Sequence, residues 1–251
     1  MTDILEAPTL APSVRDDVAR QGYATLSGGA FDLSGDHAEA LRAEWGAMDP
    51  DPHFGGDPEK AWRTRRYSDF DFDPAARRIL GRRSHAAYYQ SRRQNAYAGG
   101  IERHFGDVTD ATVANPLFNA LVAWDFDQWP IDAAYLDRTW VCQVHQIRIH
   151  VTAGHTTPVT PEGVHSDGYP FAGVHLIDRA GVTGGQSTVY TRDAEPLASL
   201  TFETPLDTLV FEDREMKHYV TPITNPGQGI AHRDILAISF SLPDSPYATD
   251  V

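Results

Sequence analysis

Cysteine is almost missing from this chain, with Cys142 the sole example. An internal disulfide is impossible, and a cysteine-built zinc cluster is excluded. Positive charge is also scarce. Twenty-one Lys and Arg stand against 35 Asp and Glu, a formal net charge of −14. That deficit argues against nucleic acid or an anionic membrane as partner, because phosphates need cations. Long apolar runs are absent too. No window approaches the roughly 18 unbroken apolar residues of a membrane span. The opening "MTDILEAPTLAPSVRDD" has neither a basic start nor an apolar stretch, so a signal peptide is not expected and the cytoplasm is the expected location. What is present is a normal apolar share, 41% of 251 residues, enough for a sizeable core.

Pattern divides the chain. The first dozen residues carry two prolines and little periodicity, so residues 1–12 are expected to be disordered. Residues 13–137 read as helix-rich. "SVRDDVARQGY" suggests a helix capped by Ser13 and stopped by Gly22, and "DHAEALRAEWGAM" one with Leu41 and Trp45 on one face. "DPAARRILGRR" suggests a third, and "NPLFNALVAWDF" the longest. Beyond residue 138 the character changes. "TWVCQVHQIRIHVT", "FAGVHLID", "QSTVYTR", "SLTFE", "TLVFED", "HYVTPI" and "RDILAISFSL" read as strands separated by Gly, Pro and Asp turns. The expected fold is mainly β with flanking helices. An antiparallel sandwich or barrel spans 138–242, N-terminal helices pack on one face of its sheet, and 1–251 form one domain.

The strand region holds His165 and Asp167, two apart, and His218 tens of residues later. This is the spacing of a facial triad. Two imidazoles and one carboxylate hold Fe(II) on one face and leave three positions open. Eleven histidines make chance matches easy, so the spacing alone does not decide. Arg233 opens the final strand. Inside a barrel, a guanidinium needs an anionic partner, and its planar fork suits the end of a dicarboxylate. At a strand end in water it would instead pair with an Asp or Glu.

"VHQIRIHV", "GVHSDGYPFAGVHLIDR", "GGQSTVYT", "PLDTLVFEDREMKHYVTPI" and "HRDILAISFSL" together resemble the bacterial 2-oxoglutarate/Fe(II) dioxygenase family that includes L-isoleucine 4-hydroxylase. Weaker likenesses precede them in "RTRRYSD", "NAYAGGIERHF" and "NPLFNALV". The resemblance implies a double-stranded β-helix, or jelly roll. It implies iron on His165, Asp167 and His218, 2-oxoglutarate on Arg233, and O2 as oxidant. It also implies hydroxylation rather than halogenation, since Asp167 fills the position that related halogenases leave open.

Substrate residues are read from strand parity. In "TWVCQVHQIRIHV" the face with Ile147, Ile149 and Val151 ends apolar and is expected to meet the helices, turning Gln146 and Arg148 into the lumen. For Arg148, an ion pair with a nearby acid competes with this reading. Arg63, Arg65 and Tyr67 share one face of an extended segment, expected as a lid that clamps a substrate carboxylate or else as a solvated basic loop. The leading expectation is hydroxylation of an aliphatic C–H bond in a small substrate, foremost a free L-amino acid, with succinate and CO2 released. A carrier-bound or peptide-embedded amino acid stays open, as does a non-catalytic jelly roll that binds metal or carboxylate. Oligomeric state is left open.

Overall fold

A computed structural model describes residues 10–32, 36–84 and 87–250. Its centre is a seven-stranded sheet ordered β1-β10-β6-β13-β4-β2-β3, antiparallel throughout. The strands are β1 (Tyr23–Leu26), β2 (Ala61–Asp73), β3 (Arg78–Arg82), β4 (Trp140–Thr152), β6 (Phe171–Ala180), β10 (Thr208–Phe211) and β13 (Ile230–Ser241). A smaller sheet, β11-β8-β9, is built from β8 (Gln186–Thr191), β9 (Pro196–Thr201) and β11 (Met216–Val220). A third joins the short strands β5 (Thr156–Thr157), β7 (Thr183–Gly184) and β12 (Ile223–Thr224). All seven expected strands are present, in a mainly β jelly-roll fold.

Two apolar layers flank the large sheet. On one face Trp140, Cys142, Val144, Leu236, Ile238 and Phe240 pack with Leu117, Leu121 and Trp124 of helix α4 (Pro116–Asp127), which follows the short α3 (Asp110–Ala114). Val18 of α1 (Arg15–Gln21) and Leu41 of α2 (His37–Ala43) join the same cluster, with Trp45 just beyond. On the other face Leu176, Leu209, Phe211 and Ile235 meet Val189, Phe202 and Met216 of the small sheet and its flanks. Helices therefore cover one side, and the cavity forms on the other, between the two sheets.

The first half differs from expectation in three ways. The segment 13–137 is not simply helix-rich, because β1, β2 and β3 lie in the large sheet. "WRTRRYSDFDFD" is β2, paired with β4 along nearly its whole length, so it forms a wall rather than a lid. "DPAARRILGRR" turns at Asp73 and returns as β3 instead of forming a helix. Residues 1–9 lie outside the described residues, but Leu10 and Ala11 are buried in the core, contrary to the expected disorder. α1 does end at Gly22, yet its N-cap is Val14 and no side chain caps it.

Helix α4 comes close to the sheet because of Gly173, where a β-carbon would lie 2.3 Å from Asp125 Oδ2. That gap lets the fully buried Asp125 reach His175 Nε2 at 3.0 Å, while His175 Nδ1 meets Thr208 Oγ1 at 2.7 Å. Burial raises the Asp125 pKa against the pull of His175. His175→Ala would strand this carboxylate, so we expect a loss of about 3–5 kcal/mol in urea denaturation. Asp125→Asn, which keeps a hydrogen-bonding group, should cost less.

On the same face, past the helices, His150 stacks on Trp62 at 4.5 Å. Burial, helped by Arg148 and His232, pushes its pKa down to about 4. An unfolded histidine titrates near about 6.5. Between these values only the unfolded state takes up the proton, so stability is full above about 6.5 and is lost as pH falls towards 4. We expect His150→Phe, followed by thermal melts across that window, to give a shallower pH slope. Among the described residues, no helix is long and apolar enough to cross a membrane.

Candidate active site

The loop from β5 to β6 carries His165, and its backbone pairs with His218 on β11. Each N–H donates to the other's carbonyl, at 3.1 and 2.7 Å. Paired residues on adjacent strands point the same way, and the two rings lie 4.2 Å apart. Asp167 follows with Oδ1 3.6 Å from His165 Nε2 and Oδ2 3.8 Å from His218 Nε2. Ligand atoms of the three residues lie within 4.8 Å of one another. His165 Nδ1 donates to Gly163 O at 2.9 Å, which leaves Nε2 to face the cluster.

A buried carboxylate fixes this loop. Asp213 accepts from the backbone N–H groups of Asp167, Gly168 and Tyr169 at 2.8–3.1 Å and from Ser166 Oγ at 3.1 Å. Its Oδ1 also lies 3.5 Å from His218 Nδ1, although that nitrogen has no aligned partner. Gln90 Nε2 donates to Asp167 Oδ1 at 2.7 Å, and Gln90 Oε1 is held by Asn95 and Arg103.

The donor set suits a divalent cation. Burial opposes charge on His165, but Asp167 and then Glu162 overcome it and raise its pKa to about 9. Despite its own burial, Asp167 is held well below the usual carboxylate range by His165 and His218. A site that binds a proton this tightly is electronegative. Modest side-chain shifts would bring two imidazole nitrogens and a carboxylate oxygen to ligand distances of about 2.0–2.2 Å. A second group, Asp178, His232 and Asp234, is equally close on the helix-side face. There Arg148 already takes both Asp234 oxygens, at 2.6 and 2.5 Å.

Rows across the large sheet supply the cavity wall. Arg63, Ile149 and Arg233 pair side by side, then Arg65, Ile147 and Ile235, then Tyr67, His145 and Ala237. All of these except Tyr67 line the cavity, together with His165, Asp167 and His218. Arg233 is only 4% exposed, and no hydrogen bond or ion pair engages it among the described residues. Burial, then nearby Arg179, pushes its pKa down to about 10, so it stays cationic near neutrality. An unpartnered buried guanidinium in a cavity fits a carboxylate ligand.

The parity expected for β4 is reversed. His145, Ile147 and Ile149 face the cavity, while Gln146 donates to Thr112 Oγ1 on the helix side at 3.2 Å and Arg148 pairs with Asp234. The apolar run marks the cavity wall, and the helices stop short of Arg148, so its charge finds a buried acid instead. Arg63 and Arg65 do reach the cavity. Arg63 donates to Asp51 at 2.6 Å, and Arg65 Nη2 donates to His145 Nδ1 at 2.7 Å. Tyr67 lies behind, stacked on His145 at 4.5 Å, with its hydroxyl on Asp69. Gln90, Arg103, Glu162 and Asp213 escaped the sequence reading. Two of them lie in stretches that reading had singled out, Arg103 within "NAYAGGIERHF" and Asp213 within "PLDTLVFEDREMKHYVTPI".

The profile of the 2OG-Fe dioxygenase family matches residues 42–239, and the chain belongs to that family. Its relatives include L-isoleucine-4-hydroxylase of Bacillus thuringiensis, 28% identical over 161 residues. That alignment spans 63% of this chain and 66% of the relative, just under two thirds of its length. The 3(1)-hydroxy-L-isoleucine 4-dioxygenase of Pantoea ananatis is 25% identical across 93% of this chain and 97% of its own. Among solved structures, a bsmA homologue from Methylobium petroleophilum PM1 superposes with TM-score 0.75 at 26% identity, over 96% and 94% of the two chains. IDO from Bacillus thuringiensis gives 0.73 at 21%, over 97% and 98%, a likeness of fold.

Asp213→Asn would turn an amide N–H2 towards backbone donors and loosen the loop that carries Asp167. By analogy with other groups that orient ligands, we expect Mn(II) affinity to fall about 10–100-fold. Calorimetric titration of the metal-free protein would measure this.

Proposed function

We propose that this chain is an Fe(II)- and 2-oxoglutarate-dependent dioxygenase that hydroxylates an aliphatic C–H bond of an amino acid. His165, Asp167 and His218 hold the metal, and Arg233 holds the far carboxylate of 2-oxoglutarate. The observation that carries this reading is the shared cavity. It brings a three-donor cluster together with a buried, unpartnered guanidinium. Bound Fe(II) and 2-oxoglutarate supply O2 reduction coupled to loss of CO2 and formation of succinate.

The protein's own residues do the placing. Asp213 and Gln90 hold Asp167 from both sides, so the carboxylate keeps its aim. Because Asp167 fills the third ligand place, none is left to a halide, which favours hydroxylation. Arg65 offers charge to a substrate carboxylate, Arg63 being held by Asp51, and Ile147, Ile149 and Val159 give an apolar wall suited to an aliphatic side chain. Both named enzyme relatives act on isoleucine or a hydroxylated isoleucine, which supports a substrate of that kind. Anchoring the charged end selects the carbon that reaches the metal.

The test is succinate release from 2-oxoglutarate with Fe(II) and O2, screened over the twenty amino acids. At least one should stimulate it, with product heavier by one oxygen. Binding of metal and 2-oxoglutarate with no turnover on any free or tethered amino acid would favour a non-catalytic barrel. Arg233→Lys keeps charge but loses the planar fork, so KM for 2-oxoglutarate should rise by about tenfold or more with metal affinity unchanged.

A further inference from the structure

One acidic side chain of the cavity has no place in the account so far. Glu162 lies three residues before His165, its Oε1 3.3 Å from His165 Nε2 and its side chain 14% exposed. It lines the cavity alongside Arg63, Tyr88 and His165. It stands outside the three-residue cluster of ligand atoms, so it is not a fourth ligand in this arrangement. A metal on His165 would occupy Nε2, because Nδ1 is committed to Gly163 O. The N–H that Glu162 can face without metal is then gone. A largely buried carboxylate left without a donor is costly. Arg63, whose charge Glu162 feels, is already engaged by Asp51. The new donor has to come from the ligand.

Elsewhere in the cavity the imbalance has the opposite sign. Arg65 and Arg103 are both buried, and neither has a carboxylate within ion-pair distance among the described residues. Their guanidinium groups lie over the Tyr88 ring at 4.9 and 4.5 Å. The Nε of each is without a partner. Unsatisfied cations and one soon-unsatisfied carboxylate complement a small zwitterion.

Resting on the function proposed above, we infer that Glu162 binds the substrate's α-ammonium group while Arg65 and Arg103 take its carboxylate. The site thereby selects free amino acids with an unblocked amine. A carrier thioester offers no carboxylate to the arginines. An N-acylated or peptide-embedded residue offers no ammonium to Glu162, which would stay buried and unpaired. Glu162 is thus a specificity-determining residue that metal loading makes available.

The test uses the Mn(II)-loaded full chain with 2-oxoglutarate, titrated calorimetrically. The probes are the tightest-binding of the twenty amino acids and its 2-hydroxy acid, in which hydroxyl replaces ammonium. The unaltered protein should favour the amino acid by about tenfold or more, the scale of a hydrogen bond between charged groups. Glu162→Gln should erase that preference, weakening the amino acid about tenfold and leaving the hydroxy acid and Mn(II) within about twofold. Equal losses for both probes, or a loss of Mn(II) affinity, would overturn the assignment and make Glu162 a structural or metal-site residue. Binding of Mn(II) and 2-oxoglutarate but of no amino acid overturns it too. Failure to bind Mn(II) or 2-oxoglutarate would instead defeat the dioxygenase reading itself.

Discussion

Four donors converge on the buried carboxylate of Asp213, and the candidate site depends on that convergence. Three are consecutive backbone N–H groups, from Asp167, Gly168 and Tyr169, and the fourth is Ser166 Oγ. A loop of irregular backbone has no ladder of its own to satisfy these groups. One anion satisfies three of them and sits five residues before His218. The same carboxylate thus shapes the H-x-D loop and lies against the second histidine. The antiparallel bridge between His165 and His218 adds backbone bonds in both directions. Together they bring side chains from separate parts of the chain to one point before any ligand arrives.

Around that point the protein tolerates uncompensated charge that it avoids elsewhere. Arg148 on the helix side has Asp234, and Arg63 has Asp51. Among the described residues, Arg233, Arg65 and Arg103 have no such partner, although all three are buried. Burying a guanidinium without an anion disfavours folding, so an arrangement of this kind makes sense where a ligand supplies the missing charge. Arg233 and Arg63 lie in one row on either side of Ile149. With strands about 4.8 Å apart, their backbones are separated by about 10 Å. That spacing allows two ligands side by side, one served from β13 and one from β2.

The second half of the chain was legible because its strands are β-branched, alternating and punctuated by turns, and all seven appear. The clustering of His165, Asp167 and His218 could be anticipated from the H-x-D spacing only together with the family resemblance, and Arg233 stood out by its place in the final strand. The first half was harder. Arginines and aspartates in "WRTRRYSDFDFD" disguise a sheet strand, since their partners, Asp51, His145 and the carbonyls of the 3-10 helix Glu44–Ala47, are set by tertiary contacts. "DPAARRILGRR" has helical composition but pairs with β2, so sheet formation overrode local preference. Asp213 and Gln90 act through neighbours distant in sequence, and Glu162, though only three residues from His165, has no local pattern that marks it.

The reversed parity of β4 has a physical lesson. Strand alternation tells which residues share a face but not which face meets which layer. From sequence, the apolar run Ile147, Ile149, Val151 reads as a helix contact on its apolar character alone. Here the cavity wall is apolar between its charged ends, and the helix layer covers only Trp140 to Gln146. Beyond that cover the outer face carries Arg148, His150 and their partners. Small-molecule sites are mostly apolar with few placed polar groups. The apolar face was therefore as good a candidate for the lumen as the polar one. Register with Arg233 decides between them: on β13 Arg233, Ile235 and Ala237 face the cavity, so the residues opposite them, Ile149, Ile147 and His145, must do so as well.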